Sequence, residues 1–240
     1  MPVTPARKAR TRQEILDHAA RLFRLRGYEA TTIDDVMLAA GLTRGAFYAH
    51  FASKDALFAE VVRTSHGLLR LLRNRTAGDA EGLRQEAARV LDDYLHKDHL
   101  GEVAVGCTLA ALPSDVGRAP LAARLAYATA LHGLIGELGR GTAGSRRLDE
   151  KATAAAVLCV GAIGLARACG ERRLGDWLLR CARRAAAGLL EPARRRASPA
   201  KKRSRSRRKA SGGRRSRRVG RSRGGRAASG PKARSSAARR

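Results

Sequence analysis

Residues 31–54 read TTIDDVMLAAGLTRGAFYAHFASK, and this stretch decides the fold. Thr31 or Thr32 is a natural N-cap, because a hydroxyl oxygen accepts from an N–H of the first turn that has no helical partner. After it, Ile33, Val36, Met37 and Ala40 fall at helical spacing, and Gly41 ends the run. Thr43 is placed to cap a second short helix that carries Phe47 and reaches about His50. Two short helices meeting at a residue that tolerates positive φ make a helix-turn-helix. The second of them is the one that enters a DNA major groove. Its outer face offers Thr43, Arg44, Gly45, Ala46, Tyr48 and His50. Arg44 suits a guanine edge, which a guanidinium can hydrogen-bond bidentately, and Ala46 suits a thymine methyl. Gly45 and Ala46 have almost no side chain and let the backbone approach the bases. Tyr48, His50 and Lys54 suit phosphates, and Thr32 stands at a helix N-terminus, where N–H groups attract phosphate. Leu42, Phe47 and Phe51 face inward. A plain helical hairpin with no DNA role shares the caps and the glycine turn, and these features alone do not separate the two readings.

Working outward, Ile15, Ala19, Leu22 and Phe23 form an apolar stripe that predicts a helix over 11–26, closed by Gly27. Ser53 caps a predicted long fourth helix with Leu57, Phe58, Val61, Val62, Leu69 and Leu72 on one side. Further helices are expected near 79–97, 102–112, 120–138, 148–169 and 171–190. Pro120 fits a first turn, and Pro113 stops or kinks the helix before it. Ala-, Leu- and Arg-rich stretches without β-branched runs make the fold class all-α. The stretch Ala154–Ala168 is apolar nearly all round, which predicts burial in the core or against a second subunit.

Charge divides the chain. Of 240 residues, 49 are Lys or Arg and 21 are Asp or Glu. Residues 192–240 hold 21 of the basic groups and no acidic group, leaving 28 basic against 21 acidic in residues 1–191. The Arg/Ser/Gly/Ala composition of 192–240 cannot build a core and predicts a disordered tail. Such a tail adds sequence-independent, salt-sensitive affinity for DNA and other polyanions. Codon drift in a GC-rich gene produces the same composition without a function. Met1 to Ile15 has no apolar core of a secretory signal. The run Ala152 to Ala166 is shorter than the ~18–20 residues of a bilayer span. Cys107, Cys159, Cys169 and Cys181 are far apart and read as reduced thiols in a cytoplasm. A basic chain of this kind is expected to meet nucleic acid.

The first quarter of the chain strongly resembles the TetR/AcrR family of one-component transcriptional regulators. The resembling residues are Phe23, Gly27, Tyr28, Thr31, Thr32, Ala39, Gly41, Gly45, Tyr48, His50, Phe51 and Lys54, within about 12–62. The resemblance implies a three-helix DNA-binding domain, a helical effector domain, and a homodimer formed by the last two helices. It carries DNA contacts onto Thr32, Arg44, Gly45, Tyr48, His50 and Lys54. The expected organisation is a basic arm over 1–10, a helix-turn-helix domain over 11–56, a ligand-binding and dimerisation domain over 57–191, and the tail over 192–240. Farther on, Gly106-Cys107-Thr-Leu-Ala-Ala-Leu resembles a segment at the sixth helix of one branch, in some of whose members the cysteine senses electrophiles or oxidants. A thiol at a helix N-terminus has its thiolate stabilised by the dipole, and equally a cysteine there is a small buried hydrophobe.

Tyr94, Cys107, Tyr127, His132 and Trp177 are the groups most able to line an effector pocket; each also serves as ordinary core. His96 and His99 with Asp98 have a spacing that suits a metal ion, and a solvated helix end equally well. No catalytic string is present, and no catalytic residue, cofactor or metal ligand is assigned. The sequence therefore predicts a cytoplasmic, nucleoid-associated regulator, a repressor, that binds a palindromic operator in double-stranded DNA as a homodimer and answers to a small-molecule effector, with no membrane partner. Two alternatives stand beside it: an architectural DNA-binding protein driven by the basic tail, and a cysteine-based electrophile or redox-sensing repressor.

Overall fold

The computed structural model describes residues 4–64, 66–104, 106–142 and 149–191. The tail expected over 192–240 lies outside them. Among the described residues eleven α-helices run in the order α1 Pro5–Arg26, α2 Ile33–Ala39, α3 Arg44–Phe47, α4 Lys54–Thr64, α5 Gly67–Arg73, α6 Ala80–Tyr94, α7 Thr108–Ala111, α8 Pro113–Arg118, α9 Leu121–Gly139, α10 Glu150–Ala168 and α11 Arg172–Leu190. A 3-10 turn over Lys97–Leu100 follows α6.

Local chemistry sets most of the ends. Thr4 caps α1 by accepting from the Arg7 N–H, and Pro5 occupies the first turn, so α1 starts six residues before the expected Thr11. The basic residues Arg7, Lys8 and Arg10 are therefore helical, not a free arm. Gly27, at φ +81°, closes α1, and its N–H donates to the Phe23 carbonyl. Thr32 and Asp35 form a reciprocal capping box on α2. At the other end Gly41 adopts φ +67°, its N–H donates to the Leu38 carbonyl at 3.0 Å, and the Leu42 N–H reaches back to Met37 at 2.8 Å. That pair of bonds is a Schellman closure, and the left-handed backbone is what requires glycine there. Ser53 caps α4 by accepting from the Ala56 N–H at 3.1 Å.

Two expected helices are divided. The long fourth helix breaks at His66, whose backbone is extended, and restarts as α5. The helix expected over 102–112 shrinks to α7, and Pro113 begins a new helix, α8, rather than merely ending the old one. A proline has no N–H to lose at a first turn, which makes it as good a start as a stop.

The core has two parts. Ile15, Ala19, Phe23, Val36, Met37, Phe47, Leu57, Phe58, Val61 and Val62 pack together with Leu112, Val116, Ala123 and Ala126. Phe23 meets Phe58 edge to face, ring centres 5.1 Å apart. The first core thus runs from the N-terminal helices into α8 and α9. The second joins α5, α6, α9, α10 and α11 around Leu68, Leu91, Leu109, Leu134, Cys159 and Ile163. Half-buried Tyr127 packs against both. The Tyr28 N–H donates to Asp115 Oδ1 at 3.0 Å, which ties the end of α1 to α8.

Helix α10 is buried in the core on one side only. It is not apolar-buried all round, because Val157 and Leu165 are more than 60% exposed. As folded it has 19 residues and mean hydropathy 1.4, so length and composition alone would let it cross a membrane. Its buried residues pack instead within the second core.

Arg75 is buried among carbonyls. Its Nε donates to Leu72 at 2.7 Å, Nη1 to Leu83 at 2.9 Å, and Nη2 to the Glu137 carbonyl and to Glu137 Oε2. It therefore joins the ends of α5 and α9 to α6. Replacing Arg75 by Met strands these acceptors, and we expect a loss of about 3 kcal/mol in urea unfolding. A loss below about 1 kcal/mol would show that the network is dispensable.

Candidate nucleic-acid interface

The four-residue α3 presents the residues singled out for DNA. Phe47 is fully buried behind it and Phe51 nearly so, while Thr43, Arg44, Gly45 and Tyr48 are exposed. Ala46 and His50 are half-buried. The helix is shorter than expected, ending at Phe47, with Tyr48 to His50 in a turn. Thr43 has N-cap backbone geometry, but its side chain makes no capping hydrogen bond, so its hydroxyl is free for another partner. No atom lies within 4 Å of a Cβ built on Gly45, consistent with an open surface.

The neighbours of this face were not apparent in the sequence. Arg44 Nη1 donates to Asp34 Oδ2 at 2.6 Å, across the turn from α3 to α2. Both partners are more than half exposed, so solvent screens the pair and it contributes little to stability. Lys54 stands over the Tyr28 ring at 4.1 Å, and the Tyr28 hydroxyl donates to Asp55. Cation–π attraction thus fixes the lysine at the start of α4. Tyr28 belongs to the resemblance, but its part as a platform emerges only from the fold.

The hydroxyl of Thr32 is occupied. It accepts from the Asp35 N–H at 3.1 Å and donates to Asp35 Oδ2 at 2.6 Å. With Asp34 and Asp35 both in the first turn of α2, that terminus already carries negative charge. Phosphate contact by Thr32 must therefore displace part of the capping box. His50 Nδ1 is buried without a hydrogen-bond partner. Burial, then the charges of Lys8 and Arg12, lower the His50 pKa.

Of the residues proposed for an effector pocket, three gather around α7. Cys107 is the N-cap of α7 and is 1% exposed. Tyr94 is buried beside it, its hydroxyl close to the Cys107 thiol. Tyr127 donates to the Leu109 carbonyl at 2.7 Å, and burial, then Cys107, raises its pKa to about 12. His132 is exposed on α9, outside this group. Trp177 is neither core nor pocket: it is 58% exposed on α11 with Arg180 over its ring. Cys181, farther along the same helix, is likewise exposed. His96 faces Asp98 and His99 faces Glu102, so the two imidazoles do not converge, and no metal-binding cluster of three occurs among the described residues.

Comparison with known proteins places the geometry. Residues 15–61 match the model of bacterial regulatory proteins of the tetR family. Over that segment the chain is a tetR-family helix-turn-helix. Over 62 residues it is 44% identical to the HTH-type transcriptional repressor KstR2 of Mycolicibacterium smegmatis, covering 26% of this chain and 30% of that one. Over 51 residues it is 51% identical to the HTH-type transcriptional regulator AcrR of Shigella flexneri, covering 21% and 24%. The match thus spans less than a third of either relative. The solved structure of reduced NemR from E. coli is alike in fold, with TM-score 0.60 at 20% identity over 74% of this chain and 95% of that one. The chain therefore shares helix-turn-helix sequence with these relatives and overall fold with a wider set.

One titration follows from the break between α4 and α5. Burial, ahead of smaller effects, lowers the His66 pKa to about 4. An unfolded histidine titrates near ~6.5, so between these values the unfolded chain binds a proton that the folded chain refuses, and stability falls as pH falls. We expect wild type to lose about 2 kcal/mol more than His66→Gln between pH 7 and pH 5 in urea unfolding, from the linkage relation. Equal losses would show that His66 is not the proton sink.

Proposed function

We propose that this protein is a transcriptional regulator, a repressor, that binds a palindromic operator in double-stranded DNA as a homodimer. The observation that carries the reading is α3: an exposed Thr43, Arg44, Gly45 and Tyr48 edge mounted on buried Phe47 and held to α2 by the Gly41 turn. Arg44 reads a base edge after leaving Asp34. Gly45 and Ala46 admit the backbone to the groove. Thr43, Tyr48, His50 and Lys54 hold phosphates and set the register, with Thr32 beside them. The printed names of the relatives, a transcriptional repressor and a transcriptional regulator, favour the same function. In this reading the protein acts at the nucleoid in the cytoplasm and catalyses nothing.

Dimerisation is supported by an uncovered apolar face. Val157 and Leu165 on α10, with Leu174 and Trp177 on α11, are exposed, and Cys181, Ala185 and Gly188 continue the α11 stripe with small side chains. Two such helices from each subunit make a four-helix contact in which the DNA-reading helices face successive half-sites. A small molecule bound among the C-terminal helices, with Tyr94, Cys107 and Tyr127 among its candidate contacts, releases DNA to the extent that it prefers the unbound state. The oxidant-sensing alternative requires a reagent to reach Cys107, and the burial of that thiol gives it no support. The architectural alternative rests on residues 192–240.

Selection of genomic DNA at near-physiological salt, by the full chain and by a chain ending at Glu191, should enrich the same palindrome. Arg44→Ala should relax preference at one position, by about 1–3 kcal/mol, whereas Lys54→Ala should weaken all sites alike. No enriched sequence with either chain sinks the regulator reading. Trp177 is the sole tryptophan. Its emission should shift to the blue as concentration drives dimerisation, and Trp177→Glu should move the sedimentation profile to monomer; an unchanged dimer places the interface elsewhere.

A further inference from the structure

A cleft of about 520 Å³ opens between α1, the α4–α5 break and residues near Ala104 and Gly106. Its walls carry three guanidiniums, Arg21 and Arg24 from successive turns of α1 and Arg70 from α5. Asp17 is the one carboxylate lining it, and it already accepts from Gln13 Nε2 at 2.9 Å. Among the described residues none of the three arginines is held in a salt bridge. Arg24 is fixed in place instead: Nε donates to the Ala104 carbonyl at 3.0 Å and Nη1 to Thr108 Oγ1 at 3.3 Å. His66 also lines the cleft. It is 6% exposed, and both ring nitrogens are buried with no hydrogen-bond partner. The carbonyl ends of Val62 and Arg63 and the charges of Arg24 and Arg73 lie close to that ring.

Three guanidiniums facing a single carboxylate, Asp17, beside a buried imidazole with both nitrogens unmatched, describe a site open to a ligand's oxygens. We propose that this cleft binds a small anion, a carboxylate or phosphate group held by Arg21, Arg24 and Arg70 and accepting a hydrogen bond from His66. The volume is that of an ordinary small-molecule site. Gly67 at the break and Gly106 on the facing loop complete its lining. The bound anion ties α1 to α5 across the interruption after α4, and so links the helices that carry α3 to those that form the C-terminal core. The proposal deepens the regulator reading, since it gives an effector a place and a charge. Its test reads the ligand and not DNA, so either can fail without the other.

The experiment is nitrogen NMR of the full chain labelled at histidine, held at pH 7.5 and constant ionic strength. Residues 192–240 contain no histidine, so anions gathered by that basic segment leave the signal silent. Sodium phosphate and, separately, sodium benzoate replace sodium chloride. The His66 ring signals should move along a saturating curve with at least one of the two, while His132 stays still. Saturation with phosphate alone marks a phosphate site; saturation with benzoate marks a carboxylate site. Arg70→Gln and the exposed Arg21→Gln should each raise the half-saturation concentration at least tenfold, and agreement between them guards against a folding defect in one. A His66 signal unmoved by both anions, a shift linear in concentration, or a curve that both variants leave unchanged overturns the proposal.

Discussion

Everything in this structure depends on α4 being buried on two sides at once. Leu57, Phe58, Val61 and Val62 have no exposed surface, although they lie on a helix of only 11 residues. One side closes the small core of α1, α2 and α3, and the other packs on α9. At roughly 1.5–3 kcal/mol for each large side chain removed from water, this one helix contributes a large share of the burial available to so short a segment. A rigid, shared core leaves little freedom for α3 to turn independently of the C-terminal helices. Whatever shifts α9 or the α4–α5 break therefore shifts α3 with it, because close-packed interiors transmit displacement rather than absorb it.

Much of the first core was legible in the chain. The stripes Ile15, Ala19, Phe23 and Val36, Met37 are short-range patterns, and burial follows from their period. Gly41 was legible because a left-handed closure leaves few residues to choose from. The break at His66 was not legible, since Leu57 to Leu72 keeps an apolar stripe through it. Nothing local forbids the helix from continuing. Tertiary packing of α5 on α6 and α9 decides it. The division at Pro113 was misread for a related reason: a proline signals an interruption, and only the neighbours say whether a helix ends or begins there.

The site residues divide along the same line. Exposure of Tyr48 and burial of Phe47 follow from helix period. The pairing of Arg44 with Asp34 does not, because it spans a turn and depends on the angle between α2 and α3. Trp177 was misjudged because an apolar stripe on an isolated sequence has no label saying which core it serves. Here it serves a surface left uncovered by the single chain. The effector candidates Tyr94, Cys107 and Tyr127 came together around α7 through long-range packing, as no spacing in the sequence relates residues 94, 107 and 127.

If Arg44 reads a base as proposed, the Asp34 carboxylate has a consequence for how it searches DNA. Tethered 2.6 Å from Nη1, it is always present, whatever the concentration of DNA outside. It acts as an intramolecular competitor with a fixed effective concentration. A phosphate met at random offers Arg44 little beyond what Asp34 already supplies, so the arginine adds little grip on arbitrary sequence. A guanine edge offers two parallel acceptors in one plane, which a single carboxylate oxygen does not match. The exchange is therefore favourable only at the right base, and a weak surface ion pair becomes a means of keeping the reading helix quiet until it is in register.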